Sequence, residues 1–470
     1  MKEINLVVFG TGKFYKNRKE KFKIMNNIQI CAFLDNNETL WETSLDNIPV
    51  YSPMKLKDIQ YDYIVLMSTY ATEMYEQLMQ IGVNKGKVLY WGQFIAQFSR
   101  KKEVYYSERT KANAQHKKIL IVTIKINYDG GTMAVIYAAK SLQLKNYQVV
   151  LAAPDGNEKL IHEINNYGID VIVYDALPYI EEEEWVKEYK AVIVNTFPMI
   201  QCACEISKYK AVLWWIHESS NVYDVNLKQF YKYANKENMR QISIYAVSNI
   251  AKQNFNAHFY DRIKKTLSFG IPDLYNLDMK TDRKDKIVFA IIGVVTKIKL
   301  QDIFLKAANK LEANIDIEFW IIGRLNKGEY GEQIVEIAKQ NHGIKLKGEL
   351  TREEMCNIFP QIDVVVCTSQ EETMSIAIIE GMMFRKICIT TNHTGIADYI
   401  QDGENGFVVA AGDIEALHNK MQWIIDNRDQ INEIGVKARE TYKKYFSMNV
   451  FGENLDKAVS ETVKKWKQRS

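Results

Sequence analysis

Short β-branched runs, among them "INLVVFG", "KILIVTIKI", "KIVFAIIGVV" and "IDVVVCTS", alternate with longer helix-like segments almost throughout the chain. Parallel strands cannot be joined by tight turns, so each pair needs a crossover segment that also covers a sheet face. The alternation therefore predicts an α/β protein of parallel sheets covered by helices. With 470 residues, 47% of them apolar and 25% charged, the chain is long enough for two to four domains, each with its own core. A formal net charge of +3 is small for this length. It argues against a nucleic-acid partner, whose domains carry a concentrated basic face, and the basic run "KKWKQR" near the end is only local.

Six cysteines are scattered, several inside apolar runs, and none forms a paired CxxC pattern. They read as buried free thiols in a reducing cytosol. Cys202 and Cys204 in "QCACEI" leave a metal or redox pair as the alternative, although no second Cys/His cluster accompanies them; no metal site is expected. The opening "MKEINLVVFGTGKF" enters a strand-and-turn pattern directly, without the zones of a signal peptide. No run reaches the ~18 apolar residues of a transmembrane helix. A cytoplasmic location is expected, with contact at a membrane surface left open.

Residues 1–97 read as a Rossmann-like module, with "INLVVFG" and "IQICAFLD" as strands around the helix-like "FYKNRKEKFKIMNN". Gly10 and Gly12 occupy the first turn and Asp35 ends the second strand, as in a dinucleotide-binding βαβ unit. Tyr15, however, stands where the third glycine of GxGxxG belongs. Packing or assembly is the simpler use of this module, and nucleotide binding the alternative. Residues 98–117 are polar, basic and aperiodic, and are expected to be a linker. A second module spans 118–275 and a third 276–450, each with strands enough for a doubly wound sheet. The helical 451–470 is expected to return to the second module. Two such modules leave a cleft at the carboxyl ends of their strands, where α/β sheets place ligands.

The stretch "SQEETMSIAIIEGMM" places Glu372 and Glu380 eight positions apart, after a strand ending near Thr368 and across a helix start expected near Thr373 to Ser375. Free N–H groups at such a start hold anions. Glu372 sits at the mouth and Glu380 roughly 10 Å deeper at ~1.5 Å per residue, so the two can take hydroxyls at opposite ends of one ligand; a nucleotide sugar fits. On spacing alone the simpler reading is an acidic helix start and a surface salt bridge.

In order, "SFGIPD", "IIGVVTKIKLQD", "IDVVVCTSQEETMSIAIIEGMM" and "TGIADYIQDGENGFVVAAGD" resemble the retaining family 4 glycosyltransferases of the GT-B fold, and the resemblance spans 118 to about 460. It implies two Rossmann-like domains, an acceptor-side one at 118–275 and a donor-side one at 276–450, facing a cleft. The first module resembles a Rossmann-like domain often found ahead of bacterial sugar-transfer enzymes. Carried onto this sequence, the family pattern makes Glu372 a contact of donor-sugar hydroxyls, places backbone of Thr373, Met374 and Ser375 at sugar and diphosphate, and gives Glu380 the ribose. "GVVTKIKLQD" matches the phosphate-gripping loop at Gly293, Lys299, Gln301 and Asp302. Val294 replaces the family's arginine there, and Leu300 its glycine. Further on, Gly381 replaces an alanine, Arg385 a glycine, Ile387 a proline, and Met374 a frequent aromatic. Lys299 is expected at the diphosphate, against the simpler reading of a solvated charge. Gly130 and Gly131 come after the second module's first strand, as a donor-facing loop or as an ordinary turn. His217 ends "AVLWWIHE" near the expected reacting sugar, or is a packed core histidine. Glu218 serves the acceptor or orients His217.

The resemblance implies a metal-independent, hexosyltransferase-type transfer from a nucleotide diphosphate sugar to a glycan, lipid-linked or protein acceptor, with retention and without a cofactor. No D-x-D triplet occurs in the chain. Surface polysaccharide or glycolipid assembly at the inner membrane face is the expected setting. A phosphorylase, a sugar-nucleotide epimerase and a non-catalytic GT-B subunit that binds glycan beside a partner enzyme are the rivals, the last kept open by Val294.

Overall fold

A computed structural model describes residues 3–23, 25, 27–99, 101–108, 117–223, 233, 235, 237–276, 286–311 and 316–468. They form two compact units: Met1–Val104 with Ala153–Asp155 and Ile172–Glu181, and Tyr105–Ala152 with Gly156–Val171 and Glu182–Ser470. Each is described by itself.

The first unit holds a six-stranded sheet in which the strand Ile4–Phe9 lies between the parallel strands Ile28–Leu34 and Tyr63–Leu66. Its first crossover departs from expectation: the single helix becomes two four-residue turns, Lys13–Lys16 and Glu20–Lys23. The segment carries six cations within eleven residues, Lys13, Lys16, Arg18, Lys19, Lys21 and Lys23, and like charges three or four apart oppose a continuous helix. Tyr15 is buried edge-on against Phe33, with ring centroids 4.9 Å apart, and its hydroxyl donates to Asp46 at 3.0 Å. Asp35 accepts from the Thr11 N–H at 3.0 Å and the Thr11 hydroxyl at 2.6 Å. Tyr15 and Asp35, two of the positions that would bear on a dinucleotide, are thus engaged within the domain. The segment expected to be a linker contains a strand, Lys102–Tyr105, while 109–116 lies outside the described residues.

The second unit contains two sheets of the expected α/β, Rossmann-like kind. In one, Lys117–Val122 is flanked by Tyr147–Ala153 and Ala191–Asn195, with Val212–Ile216, Ser243–Ala246 and Lys265–Thr266 continuing outward, all parallel. In the other the order is Ile344–Gly348, Ile317–Ile322, Ile287–Ile292, Val364–Cys367, Ile387–Thr391 and Phe407–Val409, again parallel throughout. The central strands are near-continuous apolar runs because both faces are covered, whereas the edge strand Ile344–Gly348 alternates buried or half-buried residues with exposed ones. Phe289, Phe304 and Phe319 sit together in the second sheet's core.

Four helices frame the crevice and the seams of this unit: α1 (Gly130–Gln143), α2 (Ile376–Met383), α3 (Ile431–Tyr445) and α4 (Met448–Lys467). α4 lies on the first sheet's half of the unit. Its Phe451 ring is 5.7 Å from that of Trp215, Asp456 accepts from the Tyr147 hydroxyl at 2.7 Å, and Glu461 from the Tyr245 hydroxyl at 3.0 Å. The other seam is held by Arg439 of α3, bidentate to Asp273 at 2.8 and 2.5 Å.

Candidate active site

The strand Ile287–Ile292 pairs with Ile317–Ile322 on one side and Val364–Cys367 on the other. Connections leave such a strand pair in opposite directions and open a crevice at the carboxyl ends. The loop after the first strand carries Gly293 and Lys299, and the loop after Val364–Cys367 carries Ser369 to Ser375. They meet through Thr368, whose hydroxyl lies 2.8 Å from both the Lys299 and Leu300 carbonyls. The buried Gln301 braces the lysine loop from inside, accepting from the Thr296 N–H at 3.2 Å and donating to the Val294 carbonyl at 3.1 Å. Asp302 is likewise internal, accepting from the Tyr330 hydroxyl and from Lys306, each at 2.8 Å. Of the four residues matched in this loop, Gly293 and Lys299 are left facing the crevice side, with a Cβ at Gly293 falling 3.8 Å from the Lys299 Cε.

Lys299 Nζ meets Glu372 Oε1 at 2.6 Å, and the other Glu372 oxygen accepts from the Ser369 hydroxyl at 2.9 Å and the Cys367 thiol at 3.2 Å. Burial opposes the lysine's charge, but the Glu372 carboxylate more than offsets it, so Lys299 binds its proton more tightly than usual. Burial also pushes the Cys367 thiol up to about 11, which keeps it a neutral donor. The loop is thus a charged pair set in neutral hydrogen-bond donors.

Ser375 caps α2 without a side-chain hydrogen bond to the helix, so the first-turn N–H groups after Thr373 and Met374 have no side-chain cap. From the other half, α1 begins at Gly130 and Gly131 behind Asp129, which accepts from the Thr132 N–H at 2.9 Å. A Cβ at Gly130 would stand 3.5 Å from Ile376 Cδ1. Two helix N-termini, each the positive end of a helix dipole, therefore lie side by side at the carboxyl ends of the strands.

His217 joins this site through its backbone: its carbonyl accepts from the Thr373 hydroxyl at 2.7 Å, and its N–H donates to Glu218 at 2.9 Å. Its ring lies edge-on to Trp215 at 4.4 Å. Burial pulls its pKa down to about 3, so the imidazole is neutral, and the buried Nε2 has no hydrogen-bond partner among the described residues. Glu218 also accepts from the Phe197 N–H at 2.8 Å, yet burial outweighs both bonds and pushes its carboxyl up to about 7. This geometry has Glu218 holding the His217 backbone.

Glu380 is engaged by a neighbouring cation. Its carboxylate, 12% exposed, pairs with Arg352 at 2.9 Å, and burial raises its pKa despite that partner. The salt bridge of the simpler reading exists, with the carboxylate shielded and the Arg352 side chain 44% exposed. Arg352, at the start of the helix Arg352–Ile358, carries no motif signature, and neither does Glu371, whose carboxylate reaches Ser220 and Asn254. Cys202 and Cys204 are buried in the helix Ile200–Ser207, with both thiols pushed up by burial. Among the described residues no group of three His, Cys, Asp or Glu side chains is placed to hold a metal ion, and no helix is long and apolar enough to cross a membrane.

Residues 277–441 match the family model described as Glycosyl transferases group 1, and residues 2–89 one described as C2185-like, N-terminal. The capsular polysaccharide biosynthesis glycosyltransferase CapM of Staphylococcus aureus is 23% identical over 182 residues, which are 38% of this chain and 47% of CapM. The match thus spans about half the length of that relative. Among solved structures, a glycosyltransferase from Rickettsia africae superposes with a TM-score of 0.62 at 19% identity, covering 74% of this chain and 99% of that one. Anabaena HepE, solved in complex with UDP-glucose, gives 0.60 at 15% identity, covering 74% of this chain and 100% of HepE. At these identities the likeness establishes the fold, GT-B.

Proposed function

We propose, for a chain whose residues 277–441 carry a glycosyltransferase group 1 module on a GT-B fold, that it moves a hexosyl group from a nucleotide diphosphate sugar to an acceptor hydroxyl with retention of configuration. The observation that carries this reading is the meeting of the Lys299–Glu372 pair with two neighbouring helix starts at the carboxyl ends of the strands. A diphosphate needs that concentration of positive potential, and a sugar beside it needs a carboxylate. The UDP-glucose held by HepE supports the donor class, and CapM's capsular role supports surface polysaccharide assembly as the setting.

In the proposed reaction the acceptor hydroxyl attacks the anomeric carbon from the face the diphosphate leaves. The bond from that carbon to the diphosphate oxygen breaks, and the departing diphosphate takes the hydroxyl proton. Lys299 and the helix starts hold the growing negative charge, which is the work a metal does in other transferases. Glu372 orients donor hydroxyls, and the neutral His217 Nε2, buried and without a partner among the described residues, takes a sugar or acceptor hydroxyl once the ligand seats against it. Glu380 at the ribose then requires Arg352 to share its carboxylate. We place this activity in the cytoplasm, with a glycan, lipid-linked or protein acceptor reached peripherally at the inner membrane face.

A panel of nucleotide sugars, with released nucleotide diphosphate as the readout, tests the proposal. Turnover of one donor supports it. Failure of every nucleotide diphosphate to raise the melting temperature overturns it, and tight binding without turnover points instead to the glycan-binding subunit that Val294 keeps in view.

A further inference from the structure

Three consecutive residues after the strand Val364–Cys367 point to three different places. Glu372 meets Lys299 within its own half. Thr373 donates to the His217 carbonyl in the other half at 2.7 Å. Glu371, just before them, also reaches the other half: Oε1 accepts from the Ser220 N–H at 2.8 Å and from Asn254 Nδ2 at 2.6 Å, and Oε2 from the Ser220 hydroxyl at 2.5 Å. The segment from His217 to Ser220 is therefore gripped at both ends by residues 371–373.

Both sides of this grip are braced by further hydrogen bonds. On the donor side, Glu372 exchanges backbone hydrogen bonds with the loop beyond the strand Ile387–Thr391, its N–H to the His393 carbonyl at 3.1 Å and its carbonyl from the Gly395 N–H at 2.8 Å. On the other side, Glu218 ties the His217 N–H to the Phe197 N–H. A carboxylate accepting from three neutral donors fixes both distance and rotation, because its two oxygens cannot slide independently.

We infer that Glu371 is a positioning residue that sets His217 in register with Glu372 across the crevice. This rests on the glycosyl-transfer reading, since register matters only if an acceptor must meet a donor. The residue touches neither reacting group; it acts through the segment that carries His217. Loss of register costs transfer to an acceptor, which demands near-attack geometry, far more than donor hydrolysis by water, which has no fixed acceptor to align.

Glu371→Gln is the variant, since the amide keeps size but offers one acceptor oxygen where the carboxylate offers two. Asn254→Ala is the second, removing one donor from the opposite side. Hydrogen exchange of peptides covering residues 217–223, transfer, donor hydrolysis and nucleotide diphosphate affinity are measured on the full chain. The expected result is faster exchange in 217–223, transfer reduced roughly tenfold or more, hydrolysis and nucleotide affinity retained, and a double variant no worse than the worse single. Unchanged exchange, or equal losses of transfer and hydrolysis, overturns the inference. If the unaltered protein turns over no nucleotide sugar, the transfer reading fails separately, and the exchange result still decides whether Glu371 orders the 217–220 segment.

Discussion

Lys299 Nζ and Glu372 Oε1 lie 2.6 Å apart although 73 residues separate them in the chain. They meet because their loops leave neighbouring parallel strands, and each partly neutralises the other. A donor diphosphate must share Lys299 with Glu372, while a donor hydroxyl must share Glu372 with Lys299, Ser369 and Cys367. Removing either residue should therefore have an asymmetric effect. Lys299→Met should weaken nucleotide diphosphate binding by about tenfold to a hundredfold, the range for a charged hydrogen bond of about 1.5–3 kcal/mol. Glu372→Ala should leave that binding near its original value and lower transfer about a hundredfold. Calorimetric titration with nucleotide diphosphate beside steady-state transfer rates checks this, and small, equal effects of the two changes would contradict the layout.

Glu380 bears on the nucleotide itself, donor or product. Glu380→Ala is expected to weaken nucleotide sugar and bare nucleotide diphosphate alike, by about tenfold for one lost hydrogen bond to a charged group. The same titrations decide it: weaker sugar-nucleotide binding with unchanged nucleotide diphosphate binding would remove Glu380 from the ribose.

The sequence pattern goes far for the fold because parallel strands buried on both faces must be apolar runs, and runs such as "KIVFAIIGVV" and "IDVVVCTS" are unmistakable. It goes less far for the site. Lys299 and Glu372 are legible through the loop patterns that hold them, but their mutual contact depends on which strands are neighbours. The Glu371 contacts with Ser220 and Asn254 span 151 and 117 residues, and the Arg352 contact with Glu380 spans 28. No local rule of spacing encodes such pairings. The basic run after Gly12 misleads for a local reason, since its repeated cations break the helix its length suggests.

Leu300 and Arg385, which stand where the resemblance has glycines, both keep a left-handed backbone, with φ of 51° and 59°. A side chain in that region costs roughly 1–2 kcal/mol relative to the right-handed one. Leu300→Gly should therefore be more stable than Leu300→Ala by about 1 kcal/mol, the reverse of their order in a helix. Both variants lose the same side-chain packing to within a methyl group. Urea unfolding midpoints of the pair measure the difference, and an alanine variant at least as stable as the glycine one would refute the assignment.

Gly395 lies at a contact between the two halves of the second unit. A Cβ there would fall 2.0 Å from the Thr373 carbonyl oxygen and 2.5 Å from both Ser248 Cβ and Oγ. The Thr373 oxygen is backbone and cannot rotate away. Gly395→Ala should destabilise the unit by about 1–3 kcal/mol, as overpacking does, and should also speed amide exchange in residues 217–223 by pushing Thr373 off His217. Gly12→Ala, with open space around the corresponding Cβ position, is the control. Similar melting temperatures for Gly395→Ala and the control would show that the junction yields.

His217, partly buried, and Glu218, buried, are adjacent and shifted in opposite directions, His217 down to about 3 and Glu218 up to about 7. The raised Glu218 contributes stability that is full below about pH 4.5 and lost as pH rises through about 7. The depressed His217 contributes stability present above about pH 6.5 and lost as pH falls toward about 3. Between pH 4.5 and 6.5 the two slopes oppose each other, each with an upper limit of about 1.4 kcal/mol per pH unit for one proton. Removing either should expose the other. Relative to the unaltered protein, Glu218→Gln should lose stability as pH falls from 6.5 to 4.5, and His217→Asn should lose it as pH rises over the same interval. Urea unfolding at half-unit pH steps gives both difference curves. Curves of the same sign would mean that the two groups do not titrate as a neutral pair.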